Sequence, residues 1–344
     1  MSQSKDQRQH ISLSDASELS HKLFKHIESM IFGQSDLIMD SLCTFLAGGH
    51  ILITGAPGLA KTTLVRVISD NLGLKFGRVQ FTPDLLPSDI IGSEVLNIDT
   101  ESGKRSFDFV QGPVFVNLLL ADEINRASPR TQSAMLESMQ EHQVTVGGKE
   151  HKLPSPFMVF ATQNPFESEG TFPLPEAQLD RFLMHSLVDY PDRDAELKIL
   201  AAHASNELIG ESGNENPSRV LTNENIKQLL HRSKGINCDP KALELINDLI
   251  RSTRPEDDSC PEDIKNLIWY GAGPRAGISL ISASRSYAMV SQDESVRWKH
   301  IKRMAKPVLR HRIRLATHSM QEEFNEDKII ESLIATLEQK HHLE

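Results

Sequence analysis

Cysteine is scarce in this sequence. Cys43, Cys238 and Cys260 are the three cysteines of a 344-residue chain, and none belongs to a CxxC pair. An odd number of isolated cysteines is typical of reduced thiols. We therefore expect neither a disulfide framework nor a zinc site built from cysteine.

Long apolar runs are also missing. No segment approaches the roughly 20 apolar residues that a membrane-spanning helix needs. Residues 1–20 are polar and lack the apolar stretch of a secretory signal. The sequence therefore predicts a cytoplasmic protein without membrane insertion.

Positive charge is in deficit. The chain has 37 lysines and arginines against 47 acids, a net charge of −10, so nucleic acid is a disfavoured partner. Residues 297–314 are a local exception, with eight lysines and arginines and no acid. Their apolar spacing favours an amphipathic helix with basic stems on its solvent face. A surface for nucleic acid or an acidic partner is the alternative.

The remaining composition, 39% hydrophobic and 24% charged, is that of a globular protein long enough for two domains. Apolar strand candidates alternate with helical patterns in the first half, which predicts a parallel sheet covered on both faces. After residue 191 helical patterns dominate. We expect an α/β core with an N-terminal helical shoulder over residues 1–190 and a helical domain over 191–344. The strand candidates are residues 51–54, 75–81, 116–120 and 157–162.

Residues 54–63 nearly match the phosphate-binding loop pattern GxxxxGK[ST]. They lie between a strand candidate and an amphipathic helix, which is the order that the motif requires. Backbone N–H groups of such a loop surround phosphates, Lys61 pairs with them, and Thr62 can ligate Mg²⁺. A turn followed by a helix with a surface lysine is the alternative.

The loop departs from the pattern at Ala60, which replaces the second glycine. Gly55 and Gly58 remain free to adopt unusual backbone angles, whereas alanine tolerates only ordinary ones without strain. We expect a negative φ at Ala60. A left-handed conformation there would count against this interpretation.

Two carboxylates, Asp122 and Glu123, follow the apolar strand candidate at 116–120. Asp122 would hold Mg²⁺ or its water shell, and Glu123 would polarise an attacking water. Adjacent acids at a strand end can instead form a solvated turn. The glycine loop upstream favours the catalytic interpretation.

Two later segments supply further polar groups. The strand candidate at 157–162 leads to Asn164 at the strand end where parallel sheets bind ligands, although Asn-Pro pairs are often simple turns. Residues 175–182 are predicted to form a helix with Arg181 near its end. An arginine suits the transition-state charge on a γ-phosphate, often across a subunit boundary. A surface pair of Asp180 with Arg181 is the alternative.

Taken together, these motifs resemble the AAA+ ATPases, and more narrowly the MoxR family, over residues 32–314. The resemblance implies an AAA+ core with a parallel sheet, an all-helical lid, and ATP with Mg²⁺ as cofactors. The matching blocks are GAPGLAKT (55–62), QFTPDLLPSD (80–89), ADEINRA (121–127), ATQNP (161–165) and LPEAQLDRF (174–182).

The resemblance also implies a role for each site residue. Asp122 and Glu123 form Walker B, Asn164 is sensor 1, and Arg181 is the arginine finger. Arg275, in GAGPRA (271–276), is the sensor 2 contact of the lid. The family tolerates alanine at the position of Ala60. The Walker A loop that binds nucleotide comprises Gly55, Ala56, Pro57, Gly58, Leu59, Ala60, Lys61, Thr62 and Thr63.

Phe32 and Gly33 resemble the adenine-side turn of the family, although a plain helix–helix connection explains them equally well. Residues 84–89 and 92–109 resemble its insertion, and residues 143–153 its hairpin, with Gly147-Gly148 as the turn. Both would face a client or the ring pore, or be simple surface decoration.

At the level of assembly, the resemblance implies a ring, expected to be a hexamer. The ring would remodel a client protein, mature it, or insert a cofactor into it. The usual partner carries a von Willebrand A domain and would here be a separate chain. A DNA-directed motor and an ATP-binding scaffold with little turnover are the alternatives. His341 and His342 are expected to lie in a disordered tail.

Overall fold

The computed structural model describes residues 11–56, 58–98, 105–166, 170–204, 223–317 and 325–343. Within these ranges the helices are α1 (Leu13–Met30), α2 (Ser35–Ala47), α3 (Lys61–Leu72), α4 (Pro87–Ile91), α5 (Pro129–Glu141), α6 (Glu176–Leu179), α7 (Arg193–Ala204), α8 (Asn223–Lys234), α9 (Pro240–Ser252), α10 (Glu262–Lys265), α11 (Pro274–Val290), α12 (Trp298–Leu309) and α13 (Glu326–His341). The strands are β1 (Ile51–Gly55), β2 (Phe76–Gln80), β3 (Gly92–Ile98), β4 (Arg105–Gln111), β5 (Leu118–Asp122), β6 (Gln143–Val146), β7 (Lys149–Lys152), β8 (Met158–Gln163), β9 (Met184–Val188), β10 (Ile268–Tyr270) and β11 (Arg314–Leu315).

The described part of the chain contains one parallel sheet with the strand order β2-β5-β8-β1-β9. Every pairing in it is parallel. The carboxyl ends of β1, β5 and β8 therefore meet at one edge of the sheet, which is where open α/β sheets bind ligands. The predicted α/β architecture is confirmed.

Both faces of this sheet are buried. Ile51 and Ile53 of β1 belong to a hydrophobic cluster with α2 and α3, whereas Leu52 between them belongs to a second cluster with Met135 of α5. Successive residues of a strand point to opposite faces. Burial on both sides explains why these strands are continuous apolar runs in the sequence.

The first two helices and the last helix of the described chain pack against the helices of its second half. Helices α1 and α2 lie against α11, and α13 lies against α9 and α12. The prediction of a disordered tail is wrong at His341, which ends α13 and lies 3.0 Å from Asp248 through its Nε2. Leu333 and Leu337 are buried on the inner face of α13, so apolar burial holds the tail in place.

The predicted hairpin at 143–153 is confirmed as β6 and β7. Its turn residues Gly147 and Gly148 have φ values of 57° and 76°, which glycine adopts without steric cost. Strands β3 and β4 form a second hairpin within the insertion-like segment. The sequence did not predict β9, β10 or β11. The boundary near residue 190 falls between β9 and α7 and stays a prediction.

The basic segment at 297–314 contains α12, with its apolar residues buried, so the amphipathic interpretation is confirmed. Its eight basic side chains form ion pairs within the described part of the chain. They therefore do not present a free basic surface. The pairs are Arg297 and Lys299 with Asp293, Lys302 with Glu338, Arg303 with Asp36, Lys306 with Glu331, Arg310 with Asp327, Arg312 with Asp180, and Arg314 with Glu176.

Among the described residues, no helix is both long and apolar enough to cross a membrane.

Candidate nucleotide-binding site

The loop between β1 and α3 depends on its glycines for two different reasons. Gly58 has φ of 82°, in the left-handed region that favours glycine. Gly55 is constrained by space, because a Cβ there would lie 2.7 Å from the carbonyl oxygen of Val188 on β9. The prediction of unusual angles therefore holds for Gly58, and close approach explains Gly55. Pro57 lies outside the described residues.

The prediction of a negative φ at Ala60 is wrong. Ala60 has φ 55° and ψ 16°, a left-handed conformation, and its carbonyl oxygen accepts the N–H of Leu64 at the start of α3. This conformation costs an L-residue about 1–2 kcal/mol. This left-handed conformation counts against the phosphate-loop interpretation on local grounds, but Lys61, Asp122 and Glu123 still line one cavity with the loop. The loop therefore imposes the φ of Ala60 against the local preference of alanine.

The loop opens onto a polar cavity of about 360 Å³. Its position at the carboxyl edge of the sheet agrees with the rule for parallel sheets. The residues lining it come from the loop, α3, and the ends of β2, β5 and β8. They are Gly58, Leu59, Ala60, Lys61, Thr62, Thr63, Arg78, Gln80, Asp122, Glu123, Thr162 and Asn164.

Lys61 begins α3, and its ammonium group is held over the loop. Its Nζ donates to the carbonyl oxygens of Gly55 at 2.7 Å and Ala56 at 3.2 Å. Burial lowers the pKa of Lys61, and the carboxylates of Asp122 and Glu123 oppose that change. A half-buried cation facing two acids is suited to balance phosphate charge.

Thr162 connects the two acids at the end of β5. Its hydroxyl donates to Asp122 Oδ1 at 2.6 Å and accepts the backbone N–H of Glu123 at 2.9 Å. Thr162 is buried, and β8 lies beside β5 in the sheet. This single side chain therefore fixes Asp122 and Glu123 relative to each other.

Glu123 has a left-handed backbone, with φ 57° and ψ 50°, where β5 turns into a short 3₁₀ segment. Its Oε2 accepts from Gln80 Nε2 at 2.7 Å and from Arg126 Nη1 at 2.9 Å. Strained backbone at a polar cavity is a frequent property of functional sites. Glu123 lines the polar cavity together with Lys61 and Thr62.

Asn164 follows β8 and is buried, with 8% of its surface exposed. Its Oδ1 accepts the N–H of Phe166 at 3.1 Å, which fixes the side chain in a turn. Both interpretations of the Asn-Pro segment are thus compatible with the structure, since the residue forms a turn and also lines the cavity.

A second, more apolar cavity of about 660 Å³ adjoins the first and shares Gly58, Leu59, Ala60 and Thr63 with it. Phe32 lines this cavity. Gly33 does not, but it lets the chain approach α7, because a Cβ there would lie 2.8 Å from that of Ala195. The remaining lining includes Met30, Ile31, Gln34, Tyr190, Pro191, Glu196, Ile199, Leu200 and His203.

Arg181 and Arg275 lie apart from this site. Among the described residues, neither lines the polar cavity. Arg181 follows α6 and donates to the carbonyl oxygen of Leu136 at 2.9 Å. Arg275, in the first turn of α11, lies 3.4 Å from Asp180 and is 68% exposed. The helix predicted over 175–182 is only the short α6.

The sequence interpretation gave no role to three residues that the site contains: Arg78, Gln80 and Thr162. Arg78 donates to Asp122 Oδ2 through Nη2 at 2.7 Å. The register that pairs Gln80 with Asp122 brings β2 to this edge. Polar residues at the carboxyl end of the predicted strand at 75–81 were the available signal.

Comparisons with known proteins agree with this geometry. Residues 50–184 match the ATPase family associated with various cellular activities (AAA), and residues 261–333 match the AAA lid domain. A solved structure from Cytophaga hutchinsonii, provisionally described as an ATPase, superposes with a TM-score of 0.83 at 35% identity, covering 93% of this chain and 96% of that one.

Two curated relatives narrow the assignment. Chaperone MoxR1 of Mycobacterium tuberculosis is 37% identical over 313 residues, which are 90% of this chain and 80% of the relative. Protein MoxR of Paracoccus denitrificans is 31% identical over 314 residues, 86% of this chain and 90% of the relative. The fold and the phosphate-type loop define an AAA+ core followed by a helical lid. Within that class, the chain belongs to the MoxR family of AAA+ ATPases.

Proposed function

We propose that this protein binds ATP with Mg²⁺ in the two adjoining cavities and hydrolyses it. The observation that carries the proposal is the convergence of Lys61, Asp122, Glu123 and Asn164 on one polar cavity. Phosphates belong at the 55–63 loop and the start of α3. The base belongs in the apolar cavity near Phe32.

The donor chemistry fits a magnesium ion. Thr62 and Asp122 line the same cavity, and hydroxyl and carboxylate oxygens are the hard ligands that Mg²⁺ prefers. These two residues would hold the ion or its water shell. The ion supplies charge stabilisation for phosphoryl transfer when bound. Glu123 is the proposed general base and Asn164 the proposed water-orienting residue.

The functional unit is proposed to be a ring, with a hexamer as the expected size, built from a core over residues 1–190 and a lid over 191–344. Arg181 lies outside the polar cavity of its own chain, which favours action on a neighbour's nucleotide. Arg275 would reach nucleotide after leaving Asp180, since the Arg275 side chain is 68% exposed and its contact with Asp180 is long, at 3.4 Å. Lid movement would accompany hydrolysis.

ATP hydrolysis is proposed to drive chaperone-like remodelling of a client protein, its maturation, or insertion of a cofactor into it. The proposed compartment is the cytoplasm, and the proposed partner is a separate von Willebrand A-domain protein. A relative named as a chaperone supports this direction. The β3–β4 hairpin supports it independently, because Ile98, Phe107 and Val110 are more than half exposed. Exposed apolar groups concentrated on one element indicate an interaction surface.

Subunit mixing tests the proposal. Arg181→Ala and Lys61→Ala proteins are each expected to be inactive alone, because one lacks the finger and the other the phosphate contact. Mixed rings contain some interfaces with both groups intact, so phosphate release should partly return. If the two variants co-assemble by sedimentation and every mixing ratio stays inactive, action of Arg181 on a neighbour is wrong.

A further inference from the structure

Arg78 of β2 contacts the aspartate that ends β5 through two donors. Its Nε and Nη2 lie 3.2 Å and 2.7 Å from Asp122 Oδ2. The other carboxylate oxygen, Oδ1, accepts the hydroxyl of Thr162. Both oxygens of Asp122 thus have donors, and two of these come from a cationic group that lines the same cavity as Thr62.

A divalent cation, or a water of its hydration shell, approaches a carboxylate oxygen through the lone pairs that accept N–H donors. The two N–H groups of Arg78 occupy the lone pairs of Asp122 Oδ2. A guanidinium and a divalent cation also repel each other at short distance. A cation can therefore gain Asp122 Oδ2 only if Arg78 withdraws.

The surroundings allow that withdrawal. The Arg78 side chain is 48% exposed, whereas Asp122 is 14% exposed and tethered by Thr162. Arg78 is therefore the partner that can move into solvent at low cost. Its Nη2 also donates to Gln80 Oε1 at 2.9 Å, and Gln80 Nε2 donates to Glu123 Oε2 at 2.7 Å. Release of Arg78 would therefore loosen the Gln80 side chain, which donates a hydrogen bond to Glu123.

We propose that Arg78 is a positioning residue that competes with Mg²⁺ for Asp122 and sets the Mg²⁺ concentration at which nucleotide binds tightly. This inference rests on the proposed function, because it assumes a nucleotide at the 55–63 loop. The proposal gives β2 a regulatory role. When Mg²⁺ replaces Arg78 at Asp122, the contact between Arg78 and Gln80 is lost, and the hydrogen bond from Gln80 to Glu123 changes with it.

The test is an equilibrium titration of the full-length chain with a fluorescent ADP analogue, first in chelator and then at increasing Mg²⁺. ADP is used so that hydrolysis makes no contribution. Arg78→Met removes the competing charge, and Arg78→Lys retains the charge without the two-donor contact. Arg130→Gln, at an exposed arginine of α5, is the matched control. Thermal unfolding identifies folded variants.

The Mg²⁺ midpoint is expected to fall about three- to tenfold in Arg78→Met, less in Arg78→Lys, and not in Arg130→Gln. Affinity in chelator should stay near the wild-type value. An unchanged or raised Mg²⁺ midpoint in a folded Arg78→Met protein overturns the inference. If Arg78→Met does not fold, the same result in Arg78→Lys overturns it. A wild-type ADP affinity that does not depend on Mg²⁺ also overturns the inference. Wild-type protein that binds no ADP analogue at any Mg²⁺ concentration would instead contradict the proposed function.

Discussion

The guanidinium of Arg312 donates to the carboxylate of Asp180, with Nε 2.9 Å from Oδ1. The Arg312 side chain is 3% exposed, and it also donates to the carbonyl oxygens of Phe182 and Leu183. Arg312 follows α12, whereas Asp180 directly precedes Arg181. The segment after α12 therefore holds in place the segment that carries the proposed arginine finger.

Removing the carboxylate should destabilise the protein strongly. Asp180→Ala leaves the Arg312 charge buried without its anion, which is expected to lower the free energy of unfolding by about 3–5 kcal/mol. Urea unfolding measures this. Arg275→Ala is the control, because Arg275 meets the same Asp180 from an exposed position at 3.4 Å and its loss should cost less than about 1 kcal/mol. Equal effects of the two changes would contradict the assigned roles.

Ala60→Gly should stabilise the folded protein. The left-handed backbone at Ala60 is costly for alanine and free for glycine. After the added entropy of an unfolded glycine is subtracted, a gain of about 0.5–1 kcal/mol is expected. Ala56→Gly in the same loop is the control, since Ala56 does not have a positive φ and the change should destabilise. Chemical denaturation of both variants checks the prediction, and a loss of stability in Ala60→Gly would refute it.

Stability should fall in mild acid because of His50. Its Nδ1 accepts the N–H of Val159 and its Nε2 faces the carbonyl oxygen of Met139, so the neutral ring is held. Burial lowers the pKa of His50 to about 4. The folded pKa is below the unfolded value of about 6.5, so this stabilisation is present above pH 6.5 and is lost as the pH falls toward 4.

Between pH 7 and pH 5 the loss from His50 should reach about 2 kcal/mol. His50→Gln is expected to be less stable at pH 7 but to lose correspondingly less on acidification. Unfolding free energies at several pH values, with His26→Gln at an exposed position as control, give the comparison. A His50→Gln protein with the full wild-type pH dependence would be inconsistent with a buried neutral imidazole.

DNA should neither bind tightly nor stimulate hydrolysis. The eight basic residues of 297–314 are paired with acids, including Lys302 with Glu338 and Arg310 with Asp327. Charges that already have acidic partners on their own chain attract DNA phosphates less than a free basic surface does. Fluorescence anisotropy with labelled duplex at low salt is the measurement. Salt-sensitive binding that Lys302→Ala reduces would revive the DNA-directed alternative.

The sequence was informative wherever local pattern and function coincide. Lys61, Asp122 and Asn164 could be predicted because Asp122 ends an apolar strand, Asn164 follows one, and Lys61 follows the loop after another. Arg78 and Gln80 are polar residues near the end of a predicted strand, but their contacts could not be predicted, because their partners are more than 40 residues away and depend on the β2–β5 register. The pattern of residues along the chain indicates which segments form strands and helices, but it does not show which strands lie side by side in the sheet.

Other differences also have physical causes. Strand β9 was missed because His185 and Ser186 interrupt its apolar pattern, although both lie beside β1 in the sheet. The conformation of Ala60 was misjudged because the loop imposes it against local preference. The expectation of a disordered tail at His341 is wrong because the apolar residues of α13 recur at helical spacing and are buried.

The central claim is that Glu123 drives hydrolysis of ATP bound at the 55–63 loop. Phosphate release by assembled protein with saturating Mg²⁺ and ATP tests it most directly. Glu123→Gln keeps the shape of the side chain and removes its basicity, so turnover should fall at least about a hundredfold while nucleotide binding persists. Glu137→Gln, at an exposed glutamate of α5, should match the wild type. Equal rates for wild type and Glu123→Gln would contradict the account.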